Sequence, residues 1–216
     1  MTTPKTIAGG LVVLFEGLDG VGKTTQLEMA KTALSSDGWL VETARVHGGT
    51  PICEQLRQVS LSNVPRPPMT DVYISLAMHA ALIEQLQTYR EQGAIILLDR
   101  GPLSLVAYQL FGSALLDSLG WNLADDSVRQ FAADLTLLYD ASVEIALERA
   151  KQKSGASLDY FESKPTDYFE AVRHGFLTAG KRYHALVVNA EQPQSTVYGD
   201  TAQAILRLID SKAVNA

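Results

Sequence analysis

The chain has 216 residues, of which 46% are apolar and 19% charged, enough material for a core of ordinary size. Its net charge of −6, from 18 Lys and Arg against 24 Asp and Glu, argues against the broad basic surface of a nucleic-acid binder. One cysteine, Cys53, rules out an intramolecular disulfide and a cysteine-based zinc site.

The opening stretch MTTPKTIAGG lacks the apolar core of a signal peptide, and no later run is long and apolar enough to span a bilayer. A cytoplasmic protein, with neither membrane nor nucleic acid as partner, is expected. The length suits one domain over 1–216.

A strand ending at Glu16 opens the ordered chain. It runs into Gly17-Leu-Asp-Gly-Val-Gly22-Lys23-Thr24, which fits the spacing GxxxxGK[ST], with a helix expected over Gln26 to Leu34. Chance gives such a match in roughly one per cent of chains this long. The backbone N–H groups of such a loop cradle a phosphate chain, Lys23 reaches the outer phosphates, and the Thr24 hydroxyl can ligate Mg²⁺. Gly17, Gly20, Val21, Gly22 and Thr25 complete the expected nucleotide cradle.

A second strand is expected over Trp39 to Val46, then a loop His47-Gly48-Gly49-Thr50-Pro51 and a helix from Ile52 to Ser60. Three prolines make Asn63 to Pro68 irregular. Apolar spacing predicts a helix over Thr70 to Arg90, stopped by Gly93, and Ala94 to Leu98 reads as a buried parallel strand. Asp99 and Arg100 follow it, where ligands collect in open α/β sheets. Asp99 suits the Mg²⁺ shell or the acceptor oxygen, and Arg100 suits a bound phosphate. Asp19, inside the loop, suits the acceptor or a metal-bound water.

A helix over Leu103 to Leu110 puts Ser104 and Tyr108 on one face. After a loop around Gly120-Trp121-Asn122, helices are expected over Asp125 to Ala133 and Ser142 to Lys153, flanking a strand over Asp134 to Tyr139. Ser154 to Pro165 is polar and broken, a candidate lid. A long helix from Thr166 to Tyr183, a short strand near Thr196 to Tyr198 and a helix from Asp200 to Lys212 complete the reading. Alternating strands and helices indicate a parallel sheet covered on both faces.

FEGLDGVGKTTQ, then GGTP, then Asp99-Arg100 with Ser104 and AYQ at their offsets, resembles the thymidylate kinase family. DLTLLYDASVEIALERA and DYFEAVRHGFL extend the resemblance over almost the whole chain. It implies an α/β P-loop NTPase fold with five parallel strands and a lid, and ATP- and Mg²⁺-dependent phosphorylation of a nucleoside monophosphate, dTMP to dTDP. Carried over residue by residue, Lys23 and Thr24 serve ATP and Mg²⁺, and Asp19 and Asp99 lie near the reacting groups. Arg45 and Arg100 lie near the acceptor phosphate, Tyr108 and Gln109 near its sugar and base, and Arg149 near adenine. Family members are usually homodimers.

Departures cluster at the acceptor base and the lid. The family's base-stacking Phe and base-bonding Arg align with Ser75 and His79, and its polar residue after Ser104 is here Leu105. Losing both ring and guanidinium removes on the order of 2–4 kcal/mol of discrimination. Val21 cannot supply a catalytic arginine, and Tyr160 stands where the lid would carry one, leaving Arg149, Lys151 and Lys153 nearby. Two alternatives to dTMP phosphorylation therefore stand: a related enzyme acting on another acceptor, and a nucleotide-binding protein without turnover. No NKxD signature supports a guanine-specific switch.

Overall fold

The computed structural model describes residues 3–154 and 164–213. Five strands, β1 (Leu11–Glu16), β2 (Val41–Arg45), β3 (Ile95–Asp99), β4 (Leu135–Asp140) and β5 (Leu186–Asn189), form one parallel sheet in the order β2-β3-β1-β4-β5. This is the α/β P-loop NTPase arrangement, with helices on both faces. Successive side chains of a strand point to opposite faces. Leu11, Val13, Phe15, Ile95 and Leu97 therefore enter one core, while Val12, Leu14, Ile96 and Leu98 enter the other. That is why β1 and β3 are apolar without alternation.

The covering helices are α1 (Lys23–Ser36), α2 (Pro51–Leu61), α3 (Pro68–Glu91), α5 (Ser118–Phe131), α6 (Val143–Ser154), α7 (Thr166–Arg182) and α8 (Gln194–Ala213). Between α3 and α5, a single α turn, α4 (Pro102–Ser104), continues directly as a π-helix, Leu105–Phe111. The wider turn continues past it, with Gly112 N donating to the Ala107 carbonyl at 2.9 Å. Helix α7 lies close against this segment: a Cβ on Gly175 would come 2.8 Å from Ala107 Cα.

Three expectations are corrected. Thr196 to Tyr198 is not a strand but the first turns of α8; the fifth strand is Leu186–Asn189, four residues at the sheet edge. Gly120-Trp121-Asn122 is not a loop, because α5 begins at Ser118, capped by the Asp117 carboxylate accepting from Gly120 N at 2.7 Å. The helix expected over Leu103 to Leu110 is mostly π rather than α. Residues 155–163 of the candidate lid, Tyr160 included, lie outside the described residues. Among the described residues, no helix is long and apolar enough to cross a membrane.

Candidate functional site

The carboxyl ends of β1 and β3 lie side by side, with Phe15 in register with Asp99, and β2 brings Arg45 level with Asp99 on the other flank. The loop after β1 turns sharply into α1. A Cβ on Gly20 would run into the Ala146 carbonyl, so α6 seats the loop only because that position is bare. Gly22 caps α1 in the left-handed region, at φ 94°, with no side-chain cap and no acidic residue in the first turn. The uncapped N–H groups and the positive end of the helix are left for an anion.

Lys23 is buried, and its ammonium donates to the Leu18 carbonyl at 2.7 Å. Burial and the Arg100 charge pull its pKa down to about 8, against the carboxylates around it. Thr24 Oγ1 lies 3.3 Å from Asp99 Oδ2. The other Asp99 oxygen, Oδ1, is buried without a hydrogen-bond partner. An orphaned carboxylate oxygen beside a threonine hydroxyl fits a hydrated divalent cation held mainly by phosphate and water. Among the described residues, no group of three His, Cys, Asp or Glu side chains forms an all-protein metal cage.

Arg100 holds φ 68°, unusual for a residue with a side chain. Its guanidinium donates to Ser104 Oγ at 3.1 Å and the Gly17 carbonyl at 3.4 Å, pairs with the Asp19 carboxylate, and lies 5.2 Å over the Tyr108 ring. The Tyr108 hydroxyl donates to the other Asp19 oxygen at 3.0 Å. Although desolvation by the surrounding protein works to raise the pKa of the part-exposed Asp19 carboxyl, the Arg100 and Lys23 charges outweigh it and hold the carboxyl well below the usual range. Beneath these groups sits Glu16, fully buried, whose pKa burial raises above 4.5 against the Ser104 hydrogen bond and the Arg100 charge.

One cavity of about 800 Å³ joins these groups. Every candidate residue except Gly17 lines it: Asp19 to Thr25, Arg45, Ser75, His79, Asp99, Arg100, Ser104, Leu105, Tyr108, Gln109 and Arg149. Arg45 also reaches Glu54, 3.7 Å away on α2, and Arg149 donates to the Ala190 carbonyl at 2.8 Å. The Gln109 amide, oriented to satisfy its neighbours, donates to the Leu105 and Ser104 carbonyls at the start of the π-helix, at 3.2 and 3.3 Å. The wall carries Lys23, Arg45, Arg57, Arg100, Arg149 and Lys151 against Asp19 and Asp99, a cationic cleft in an acidic protein.

His79 is buried, with Nδ1 2.7 Å from Ser127 Oγ on α5 and the ring edge-on to Phe131 at 4.9 Å. Burial lowers its pKa to about 3, so the imidazole is neutral. His47, at the same end of the cavity, is likewise held to about 3 by burial and by the Arg100 charge, and its Nδ1 is buried without a partner. Sequence reading did not assign His47, Arg57, Ser127 or Glu16 to the site. His47 and Arg57 join the wall only because β2 pairs with β3 and α2 packs on α3, and Ser127 and Glu16 act from behind it.

A family model described as thymidylate kinase matches residues 15–200. The chain is 33% identical to a thymidylate kinase of Cyanothece sp., covering 94% of each chain. It is 36% identical to one of Pseudomonas fluorescens, over 87% of this chain and 90% of that one. Identity to the Photobacterium profundum thymidylate kinase is 31%, over 89% and 94%. With the phosphate loop facing Asp99 and Arg100 across a single cavity, these matches show that the chain belongs to the thymidylate kinase family.

Proposed function

We propose that the protein transfers the γ-phosphoryl group of ATP to dTMP, yielding dTDP and ADP. The observation that carries this reading is that Asp19 to Thr24 of the phosphate loop share one cavity with the wall formed by Arg100, Ser104, Tyr108 and Gln109. The uncapped α1 terminus binds the ATP phosphates, and Lys23 exchanges the Leu18 carbonyl for an outer phosphate oxygen. Arg149 borders the adenine side. Arg100, with Arg45 behind it, takes the acceptor phosphate as a two-pronged donor. Asp19, held by Tyr108, faces the acceptor sugar and the reacting oxygens. Thr24 and Asp99 would hold Mg²⁺, which when bound neutralises charge building on the transferred phosphoryl group.

His79 meets the acceptor base beside Ser75 and Leu105. In the proposed tautomer the Ser127 hydroxyl, 2.7 Å away, donates to His79 Nδ1. A neutral imidazole accepting at Nδ1 carries its own proton on Nε2. That N–H would pair with the 4-oxo group of thymine or uracil and not with the 4-amino group of cytosine.

The protein is proposed to work in the cytoplasm, and the exposed Ile52, Val59 and Tyr73 of α2 and α3 would suit the contact of a homodimer, which sedimentation tests. The deciding experiment is a coupled assay of ADP release with dTMP, dUMP, dCMP, dGMP and dAMP. Turnover is expected with dTMP well above the purine and cytosine nucleotides. Preference for another acceptor would support the alternative of an altered base pocket. ATP binding with no turnover on any acceptor would point to a protein that has lost catalysis.

A further inference from the structure

Among the described residues, Glu16 is the only fully buried carboxylate near the cavity that neither lines it nor holds a counter-ion directly. It sits at the last position of β1, and its two oxygens receive three donors from one segment. Leu103 N and Ser104 N reach Oε1 at 3.0 and 3.2 Å, and the Ser104 hydroxyl reaches Oε2 at 2.6 Å. Two of these donors are first-turn N–H groups of α4: Leu103 N, which the helix start leaves for Glu16, and Ser104 N, which Glu16 shares with the Gly101 carbonyl at 3.1 Å. The third links onward, because Ser104 Oγ, having given its proton to Glu16, accepts from Arg100 at 3.1 Å.

We infer that Glu16 is a positioning residue: through Ser104 it fixes the Arg100 guanidinium in the attitude that receives the acceptor phosphate.

Arg100 has two carboxylate anchors of different kinds. Asp19 binds it directly from the cavity side, with its side chain 58% exposed, and an incoming phosphate competes for the same nitrogen. Glu16 acts from behind through Ser104 and is out of any ligand's reach, so it keeps holding Arg100 when Asp19 is displaced. The same carboxylate seats the start of the segment carrying Tyr108 and Gln109, so arginine and helix keep one spacing. A left-handed backbone at Arg100 is unfavourable for a residue with a side chain and needs surroundings that over-determine it. Glu16, the Gly17 carbonyl and Ser104 supply them.

The test is a double-mutant cycle on binding, which does not require turnover. Glu16→Gln keeps the volume but puts an NH₂ donor where an oxygen now accepts. It is expected to raise the dTMP dissociation constant at least tenfold by calorimetry, leave that of ATP within twofold, and leave the far-ultraviolet circular dichroism unchanged. In an Arg100→Ala background the same change should alter dTMP binding less than twofold, because the residue it positions is gone. Equal weakening of ATP and dTMP, or additivity with Arg100→Ala, would overturn the inference. Should Glu16→Gln not fold, Ser104→Ala cuts the same link and enters the same cycle with the same criteria. The inference rests on the acceptor-side reading of Arg100. Wild type binding no nucleoside monophosphate would sink that reading, whereas wild-type binding with an additive cycle would sink this inference alone.

Discussion

Acid should destabilise this protein through one identifiable residue. His79 is 3% exposed, and its pKa is held near 3 against 6.5 for the free side chain. Between those two values the unfolded chain binds a proton at this position that the folded chain refuses. Stability therefore rises with pH through that window and is lost as pH falls below 6.5. At pH 4.5 the unfolded histidine is almost wholly protonated and the folded one almost wholly neutral, about two pKa units of linkage, or about 2–3 kcal/mol. That is a large share of the 5–15 kcal/mol typical of a folded protein. The perturbation is His79→Gln, which cannot titrate and retains a polar end for Ser127. Urea midpoints of wild type and variant at pH 7.5 and 4.5 give four stabilities. Wild type is expected to lose about 2–3 kcal/mol more than the variant on acidification, since His47 and the carboxylates contribute to both. Parallel losses would show that His79 is not held neutral, and the acceptor role assigned to its Nδ1 would fall with it.

Other outcomes follow from the same geometry. Lys23→Ala and Asp99→Asn should each lower kcat by about 10²-fold or more while shifting Tm by only a few degrees; unchanged kcat in either would remove that residue from the chemistry. Ser127→Ala frees the His79 tautomer, so the ratio of kcat/KM for dTMP over dCMP should fall several-fold with dTMP turnover otherwise retained, as measured in the coupled assay. With Lys23 near pKa 8, ATP binding below that pH needs no proton, whereas above it binding takes one up. The ATP dissociation constant should then rise as pH climbs past 8 in wild type and stay level in Lys23→Arg, by calorimetry in two buffers of different ionisation heat. Gly20→Ala drives a methyl into the Ala146 carbonyl and should abolish ATP binding measured by fluorescence titration.

What could be read in the sequence was what neighbouring residues decide. The apolar runs of β1 and β3, the loop between Gly17 and Thr24, and the Asp99-Arg100 step each carry their signal within ten residues. The edge strand did not: LVVN is four residues long, and Leu186 and Val187 are about half exposed, so no buried run announces it. The β-branched Thr196-Val-Tyr198 misled for the opposite reason. Pro193 opens a helix there, with Thr196 N donating to its carbonyl, and burial of Val197 in the core overrides strand propensity. Gly120 hid the start of α5, which the Asp117 cap supplies. The π-helix left no periodic signature at all. Within the site, Ser127 supports His79 across 48 residues and Ser104 supports Glu16's role across 88, and only the folded sheet and helices create such pairs.

Lys23 and Arg100 are already in use within the protein, and that bears on how a chain without an arginine at Val21 would neutralise a transferred phosphoryl group. Lys23 donates a hydrogen bond to the Leu18 carbonyl, Thr24 lies against Asp99, and Arg100 is paired with Asp19. Each partner is one that a phosphate oxygen, a metal ion or an acceptor phosphate would replace, so ligand binding exchanges bonds of similar kind instead of adding new ones. Net affinity then comes from the surplus of cations on the cavity wall, not from any single contact. Arg149 is tethered to the Ala190 carbonyl, and both line the cavity. Arg100 donates to the Gly17 carbonyl of the phosphate loop at 3.4 Å, and in the proposed function it also takes the acceptor phosphate, which would put it near both partners of the transfer. On this reading Arg100 carries two duties, holding the acceptor and balancing charge in transit, and an arginine so placed needs an anchor that no ligand can displace.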